Sequence, residues 1–213
     1  MTFDFLVYDL DGTLVDSLGD ICSSLNSVRK DNGLSLLPVD EIRSYLGKGI
    51  NSLMSRAVPA SIDVKRAVNE FNSYYKHRLL DTTVIFSGIK EMLESLKDKK
   101  KAVLTNKNEV YAKKIIGELG IDSFFVDIWG GDTLDVRKPD PKTIFELVKS
   151  TNSELSRTVM IGDSASDFLV AKAAGITSIA VSYGYCDIEQ IKSYEPDFIV
   201  KSPQEIVTIV SRN

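Results

Sequence analysis

FDFLVYDLDGTL, residues 3–14, is an apolar run that stops abruptly at acidic residues. The stretch from Phe3 to Tyr8 predicts a buried β-strand, and the residues after it predict a turn that Gly12 permits. Side chains two residues apart in an extended strand point the same way, so Asp9 and Asp11 can present both carboxylates to one pocket. We therefore expect a functional site at the carboxyl end of this strand.

The same unit, an apolar strand followed by small or polar residues, recurs along the chain. Further strands are predicted at Lys101–Leu104, Thr158–Ile161 and Ile176–Val181. Helical patterns lie between the strands, at Ile89–Leu96, Val110–Leu119, Pro141–Val148 and Asp167–Ala174. This alternation predicts an α/β fold, a Rossmann-like parallel sheet core with helices on both faces. Ligands of such sheets bind beyond the carboxyl ends of the strands.

The interval from about residue 16 to residue 82 shows only helical periodicity. Amphipathic helices are predicted at Leu18–Lys30, Val39–Tyr45, Ile50–Ala57 and Val64–Leu80. We therefore predict two domains, an α/β core of residues 1–15 and 83–213 and an inserted α-helical cap domain of residues 16–82. An insertion that directly follows the first strand would lie above the expected site, where a lid belongs.

The composition is that of an ordinary globular protein, with 213 residues of which 43% are hydrophobic and 26% are charged. The net charge of −4 provides no positive field, so we expect no binding to nucleic acid. The first ten residues lack a basic region, and acidic residues interrupt their apolar run. Neither a signal peptide nor a membrane span is predicted, and a cytoplasmic location is expected.

Other strand ends supply groups that complement the first two carboxylates. Thr105 and Asn106 follow the second strand, Lys138 lies in a later loop, and Asp163 and Asp167 follow the third strand. Each residue alone has an ordinary explanation as a loop residue, a helix cap or part of a helix face. Together they combine carboxylates, which suit Mg²⁺, with a hydroxyl and an ammonium group, which suit phosphate oxygens.

This set of groups favours nucleophilic attack on a phosphate. A carboxylate with an ordinary pKa of about 4 is ionised at neutral pH, so Asp9 needs no separate base. Charge repulsion opposes its approach to a phosphate dianion. A bound Mg²⁺, together with Lys138 and backbone amides, would cancel that repulsion.

Two other interpretations of the glycine-containing segments fail on spacing. A calcium loop that begins at Asp9 needs Gly at its sixth position, where this chain has Leu14. A dinucleotide fingerprint at residues 47–49 lacks a preceding strand, and Ser52 stands in place of its third Gly.

Four motifs, in order along the chain, resemble those of the haloacid dehalogenase superfamily: residues 9–14, 105–107, 138–139 and 162–167. The resemblance covers essentially the whole chain. It is greatest to the phosphatase branch, because haloacid dehalogenases themselves lack the second Asp of the first motif, here Asp11, and P-type ATPases carry Thr there. The resemblance implies a hydrolase of a small phosphorylated metabolite with Mg²⁺ as cofactor.

The resemblance also implies catalytic and substrate-binding roles for the matching residues. Asp9 would form an aspartyl-phosphate, while Asp11 would protonate the leaving group and later deprotonate the hydrolytic water. Thr105 would hold a phosphate oxygen, with Asn106 beside it. Lys138 would bridge the phosphate and Asp9.

The metal ligands follow from the same resemblance. Magnesium would bind Asp9, the backbone carbonyl of Asp11, and Asp163. Asp167 would ligate the metal or order a ligand or a metal-bound water.

Within the superfamily, phosphoglycolate phosphatases are the group that the chain resembles most, through residues 130–132 (GGD) and through residues 45–49 (YLGKG) of the insertion. The second segment would place Lys48, with Arg43, over the leaving group; the alternative is a turn between helices with a solvated Lys48. Sugar-phosphatases, nucleotidases, pyrophosphatases and phosphomutases share the core motifs. The leaving group therefore stays open, as does the choice between monomer and homodimer.

Two classes of non-catalytic protein are the remaining alternatives. A phospho-receiver protein carries its phosphorylated Asp on a middle strand and its Lys last, whereas here Asp9 and Asp11 open the chain and Asp163 follows Lys138. A phospho-ligand-binding protein without catalysis would not need the complete set of motifs. We therefore expect an enzyme.

Overall fold

A computed structural model of the protein describes residues 3–211. The strands within this range are β1 (Phe5–Tyr8), β2 (Val15–Asp16), β3 (Val84–Ile85), β4 (Lys100–Leu104), β5 (Asp127–Trp129), β6 (Thr158–Gly162), β7 (Thr177–Val181) and β8 (Phe198–Val200). The helices are α1 (Leu18–Asp31), α2 (Val39–Arg43), α3 (Ile50–Ala57), α4 (Val64–Arg78), α5 (Ile89–Ser95), α6 (Glu109–Glu118), α7 (Lys142–Ser150), α8 (Ala165–Ala174), α9 (Ile188–Ser193) and α10 (Pro203–Val210). Short 3₁₀ turns occupy Asp122–Phe124 and Leu155–Arg157.

Six strands form one parallel sheet in the order β5-β4-β1-β6-β7-β8. β1 lies between β4 and β6, with Tyr8 opposite both Val103 and Ile161. Along the chain, β4 and β5 are added on one side of β1, and β6, β7 and β8 are then added on the other side. Such a reversal opens a crevice at the carboxyl ends of the neighbouring strands, where ligands of open α/β sheets bind.

Successive side chains of β1 alternate between two apolar layers, which confirms that helices cover both faces of the sheet. Leu6 and Tyr8 pack into a cluster with residues of α5, α6 and α10. Phe5 and Val7 pack into a second cluster with residues of α7 and α8. The apolar run has no polar face because both of its faces are buried. The predicted α/β class is therefore confirmed.

The four helices α1 to α4 occupy the interval that the sequence predicted to be helical. The prediction that this interval contains no strand is wrong at its edge, because Asp16 lies in β2. β2 pairs antiparallel with β3, so that Asp16 lies opposite Val84 and Val15 opposite Ile85. A two-residue strand has too few residues to show a periodicity, and its partner follows only after four helices.

Asp20 ties the two ends of this helical segment together. Its buried carboxylate accepts hydrogen bonds from the backbone amides of Thr82 and Thr83, at 2.9 Å each, and from both threonine hydroxyls, at 2.7 Å each. The entry and exit of the helical segment are thus held side by side next to β1. The division into a core and a cap domain at residues 15/16 and 82/83 stays a prediction.

The sequence patterns did not predict β5, β8, α9 and α10. β5 and β8 have three residues each, and the residues of β5 are all only partly buried. They lie at the two edges of the sheet, where a strand needs no continuous apolar run. In the part of the chain that the structure describes, no helix has the length and apolar character needed to cross a bilayer.

Candidate active site

Three buried carboxylates meet at the carboxyl ends of β1 and β6. Asp9 directly follows β1, Asp163 directly follows β6, and Asp167 lies in the first turn of α8. Each offers an oxygen atom, and these three atoms lie within 4.8 Å of one another. The structure therefore brings together three of the four predicted metal-binding residues in a group that could hold a cation.

Lys138 inserts its ammonium group into this acidic cluster. Its Nζ lies 3.0 Å from Oδ1 of Asp9 and 2.6 Å from Oδ1 of Asp167, and its side chain is fully buried. One ammonium group faces three carboxylates, so this group of four residues carries two uncompensated negative charges when every member is ionised. A buried excess of charge is costly unless a counterion joins it.

The pKa values of the cluster reflect burial first and this excess of negative charge second. Burial, followed by the neighbouring Asp167, raises the pKa of Asp9 to about 7, although Lys138 and the Leu10 amide oppose the shift. Burial, followed by Asp9 and Asp167, raises the pKa of Asp163 well above its usual range. Burial alone would lower the pKa of Lys138, but the two aspartates that contact it raise the pKa by more.

Asp167 has both carboxylate oxygens engaged by protein donors. Oδ1 contacts Lys138, while Oδ2 accepts hydrogen bonds from the Ser164 hydroxyl at 2.7 Å and the Ser164 amide at 3.0 Å. The Ser164 bonds form a capping box at the start of α8, which fixes the carboxylate relative to the helix. Asp167 is therefore a rigid anchor for Lys138.

Asp163 is held by groups that the sequence did not single out. Its Oδ2 accepts a hydrogen bond of 2.8 Å from the Tyr185 amide, and its Oδ1 lies 3.3 Å from the Thr13 hydroxyl. Gly12 has a φ of +83°, and a Cβ atom there would lie 2.2 Å from Asp163 Oδ2. A side chain at position 12 would therefore overlap with this carboxylate.

The Asp11 side chain lies beside the acidic cluster instead of within it. Its Oδ1 accepts a hydrogen bond from the Ser17 hydroxyl, and its Oδ2 forms an ion pair of 2.8 Å with Lys107 Nζ. Lys107 also donates a hydrogen bond of 2.7 Å to the Tyr75 hydroxyl. No catalytic role for Lys107 or Tyr75 was predicted from the sequence, although Tyr75 follows Phe71 by four residues on the buried face of α4.

Thr105 and Asn106 follow β4 and are buried next to the acidic cluster. The Thr105 hydroxyl accepts a hydrogen bond of 3.2 Å from the Lys107 amide, and the Asn106 side-chain amide donates to the Lys138 carbonyl at 3.1 Å. Gly131 backs this loop, since a Cβ there would lie 2.7 Å from the Asn106 carbonyl oxygen. The GGD segment is therefore close-packed against the loop that carries Thr105.

A cavity of about 460 Å³ connects these groups with the helical segment. Its floor includes Asp9, Asp11, Asp163, Thr105 and Asn106. Its opposite wall includes Arg43 and Lys48, the two residues of the helical segment that are predicted to contact the substrate.

The two basic residues of the opposite wall are accessible. The Arg43 side chain is 45% exposed, and its guanidinium lies 3.7 Å from Asp40. Lys48 is exposed and also borders a neighbouring cavity, which Lys138 lines as well. The structure thus places the predicted substrate-contacting residues of the helical segment at the same cavity as the acidic cluster.

The loop of residues 45–49 rests directly on the core. The Gly47 carbonyl accepts hydrogen bonds of 3.0 Å from the Asn106 side chain and from the Ser166 hydroxyl. Gly47 has a φ of +95°, and a Cβ there would lie 2.9 Å from the Ser164 Cβ. Lys48 is therefore carried on a loop that is bonded to the loop after β4 and to the first turn of α8.

Comparisons with known proteins agree with this fold. Residues 6–181 match the family of haloacid dehalogenase-like hydrolases. A phosphoglycolate phosphatase of Colwellia psychrerythraea is 34% identical over 98% of this chain and 97% of the relative. A phosphoglycolate phosphatase of Haemophilus influenzae is 31% identical over 98% of each chain.

Solved structures give the same result. The crystal structure of a predicted phosphoglycolate phosphatase from Haemophilus somnus superposes with a TM-score of 0.92 at 29% identity and covers 99% of both chains. A haloacid dehalogenase-like family hydrolase from Streptococcus pneumoniae has a TM-score of 0.90 at 25% identity, over 97% of this chain and 98% of the other.

The fold, a parallel sheet with helices on both faces, and the match to the family define a hydrolase of the haloacid dehalogenase type. The chain belongs to the haloacid dehalogenase-like hydrolase family, which confirms the resemblance found in its four motifs. Within that family it is similar to phosphoglycolate phosphatases over nearly its full length.

Proposed function

We propose that the protein is a Mg²⁺-dependent phosphatase that hydrolyses a small phosphomonoester through an aspartyl-phosphate on Asp9. The observation that carries this proposal is the placement of the Asp9 carboxylate. It lies 3.0 Å from a buried ammonium group, within an acidic cluster, on the floor of a cavity. A nucleophile, a cation and oxygen ligands for a metal thus converge on one point.

The chemistry of the donor set fits magnesium. All three groups of the acidic cluster are carboxylates, and Mg²⁺ prefers oxygen ligands. Burial first, and the neighbouring carboxylates second, raise the pKa values of Asp9 and Asp163, and a bound cation would stabilise their ionised forms. Asp9, Asp163 and the Asp11 carbonyl would hold the ion, while Asp167 would hold Lys138. When bound, Mg²⁺ would neutralise charge on the phosphate and on Asp9.

In the first half-reaction, an Asp9 oxygen attacks phosphorus and forms an O–P bond while the bond to the leaving oxygen breaks. The Asp11 carboxyl gives its proton to that leaving oxygen, which departs as an alcohol. Lys138 and the Thr105 hydroxyl bind phosphate oxygens as charge builds on them. Because these groups are held in place before the substrate arrives, little reorganisation is needed.

In the second half-reaction, Asp11 accepts a proton from a water that attacks phosphorus. The bond from phosphorus to Asp9 breaks, inorganic phosphate leaves, and Asp9 returns as a carboxylate. One residue thus serves as acid and then as base, as microscopic reversibility allows.

The leaving group is set by the helical wall of the cavity. Lys48 and Arg43 provide positive charge there, which favours an anionic leaving group. The names of the relatives point to 2-phosphoglycolate, whose leaving group carries a carboxylate. We propose 2-phosphoglycolate as the first substrate to test. A cytoplasmic location and the choice between monomer and homodimer stay predictions.

The test is phosphate release from 2-phosphoglycolate, sugar phosphates, nucleoside monophosphates and pyrophosphate, with Mg²⁺ or with EDTA. Wild type is expected to release phosphate only with Mg²⁺, and Asp9→Asn is expected to lose roughly 10⁴- to 10⁶-fold in kcat. The matched control is Asp98→Asn, which removes an exposed carboxylate from the turn between α5 and β4. That turn lies at the amino end of β4, whereas the site lies at the carboxyl ends of the strands, so the control is expected to keep wild-type activity.

Release that survives in Asp9→Asn would contradict the role of Asp9 as the nucleophile. Release in EDTA would contradict the need for a metal ion. If another member of the panel were the best substrate, the mechanism would stand and the leaving group would change. If wild type released phosphate from no substrate of the panel, the proposed hydrolysis would be overturned for these substrate classes.

A further inference from the structure

Lys107 lies in the loop after β4 and contacts two residues from separate parts of the molecule. Its Nζ lies 2.8 Å from Oδ2 of Asp11, in the loop after β1, and 2.7 Å from the Tyr75 hydroxyl, on α4 of the helical segment. The Lys107 side chain is almost fully buried, at 7% exposure. Its ammonium group therefore links the core to the helical segment.

Tyr75 is itself held rigidly by aromatic packing. Its ring stacks on Phe71, with 5.1 Å between ring centroids, and meets the edge of the Tyr111 ring at 5.6 Å. Phe71 belongs to α4, whereas Tyr111 belongs to α6 of the core. The Tyr75 hydroxyl is therefore fixed only while α4 packs against the core.

The second contact of the Asp11 carboxylate comes from the helical segment. Oδ1 accepts a hydrogen bond from the hydroxyl of Ser17, the residue before α1, and the Ser17 amide donates a hydrogen bond of 2.7 Å to the Tyr185 hydroxyl. Each oxygen of Asp11 thus has one donor, and these donors determine which way the carboxylate faces. Neither donor is part of the acidic cluster around Asp9.

We infer that Lys107 is a positioning residue that orients the Asp11 carboxylate for proton transfer, and that Tyr75 fastens Lys107 when α4 lies over the site. The inference rests on the proposed acid/base function of Asp11. It adds a physical link between the helical segment and the chemistry: withdrawal of α4 removes the hydroxyl that holds Lys107, and Asp11 loses its orientation. Proton transfer then occurs efficiently only in the closed cavity.

The test separates proton donation from the other steps by the acidity of the leaving group. An alcohol, as in 2-phosphoglycolate, needs a proton when it departs, whereas the anions released from p-nitrophenyl phosphate and acetyl phosphate are stable without one. The ratio kcat/KM reports on steps up to departure of this group, so the later hydrolysis of the aspartyl-phosphate does not enter it. Both kinds of substrate would be measured with wild type and each variant.

The variants are Tyr75→Phe, which removes one hydroxyl and keeps the packed ring, and Lys107→Met, which removes the ammonium group and keeps the length of the side chain. Each has a matched control. Tyr74→Phe removes the neighbouring hydroxyl on α4, which bonds to Asp31, and Lys113→Met removes an exposed ammonium group on α6 that pairs with Glu109. The controls are expected to behave as wild type.

For 2-phosphoglycolate, Lys107→Met is expected to lower kcat/KM by roughly 10²-fold, the low end of the range for loss of general acid catalysis. Tyr75→Phe is expected to lower it by roughly 10-fold, because one hydrogen bond to a charged group is lost. For the substrates with acidic leaving groups, both losses are expected to stay below about 3-fold. Asp11→Asn is expected to show the same dependence on the leaving group, with a larger loss.

Equal losses for both kinds of substrate would overturn the inference, since Lys107 would then act on the phosphate or on the fold. Unchanged rates in Tyr75→Phe and Lys107→Met would also overturn it. If Asp11→Asn itself showed no dependence on the leaving group, the acid/base function proposed for Asp11 would fail, and this inference with it. A dependence seen in Asp11→Asn alone would overturn only the positioning role.

Discussion

The floor of the cavity, at the carboxyl ends of the strands, is here called the sheet wall, and the side formed by the helical segment is called the helical wall. These two walls are built in opposite ways. On the sheet wall, Asp9 and Asp163 line the cavity and are buried, and Lys138, which is buried with them, contacts both Asp9 and Asp167. On the helical wall, the basic side chains are exposed, and the only ion pair of Arg43 that the described residues provide is the long contact with Asp40.

The difference separates chemistry from selectivity. Phosphoryl transfer needs groups fixed in place before the substrate arrives, and burial with complete hydrogen bonding provides this. Recognition of a leaving group needs accessible cations that a substrate can reach and cover. The sheet wall therefore resembles a protein interior with excess charge, and the helical wall resembles a binding surface. The predictions below test this contrast.

The largest effect on stability is expected from Lys138→Met on the sheet wall. Removal of the ammonium group leaves Asp9 and Asp167 facing each other in a buried site, which is expected to lower the free energy of unfolding by about 3–5 kcal/mol and to abolish turnover. Urea denaturation measures the loss. The matched control, Lys142→Met, removes an exposed ammonium group paired with Asp135 and is expected to cost less than about 1 kcal/mol. A similar small cost in both variants would contradict the contrast.

A smaller effect is expected from Lys48→Ala on the helical wall. If Lys48 contacts an anionic leaving group equally in the ground and transition states, KM is expected to rise roughly 10-fold while kcat changes by less than about 3-fold. Steady-state kinetics with 2-phosphoglycolate measure both constants. Lys76→Ala, at an exposed position of α4, serves as the control and is expected to change neither constant. An unchanged KM for every accepted substrate would exclude the contact.

The smallest effect concerns the pH dependence of the metal-free protein. The folded-state pKa of Asp9 is raised to about 7 from an ordinary value of 3.8, so the folded state binds more protons than the unfolded state between these pH values. The contribution of Asp9 to stability is therefore expected to fall as the pH rises from about 4 to about 7. In EDTA at pH 8, Asp9→Asn is expected to be more stable than wild type by about 1 kcal/mol, or about 2–4 °C in Tm.

Thermal denaturation at pH 5 and pH 8, with Asp98→Asn as the control, measures this dependence. Saturating Mg²⁺ is expected to raise the Tm of wild type at pH 8, because the ion binds only the folded site. The interpretation of the acidic cluster as an unbalanced charge would be wrong if wild type and Asp9→Asn lost the same stability between the two pH values in EDTA.

Much of the sheet wall could be predicted from the sequence. The apolar run before Asp9 and the similar run before Asp163 each predicted a buried parallel strand that is followed by polar residues. The carboxyl ends of parallel strands lie at the same edge of a sheet. Four helices of the insertion were predicted because amphipathic helices of 5 to 15 residues repeat their apolar positions regularly. The short strand β2 and the edge strands β5 and β8 carry too few residues for such a pattern.

The contacts between the walls could not be predicted in the same way. Lys107 stands in a motif that the sequence identified, yet nothing local indicates that it reaches Asp11 and Tyr75. Tyr75 shows helical periodicity with Phe71, which predicts a packed face and not a hydroxyl directed at a core lysine. The sequence also did not indicate that the Asp11 side chain lies beside the acidic cluster, in contact with Ser17 and Lys107.

The sequence by itself determined the α/β class, the order of the polar strand ends and the helical character of the insertion, because these follow from local periodicity and turn chemistry. The tertiary structure alone decided that Lys138 lies between Asp9 and Asp167, and that Lys107 joins Asp11 to α4. Such contacts join residues far apart in the chain, and packing of the whole molecule sets their distances.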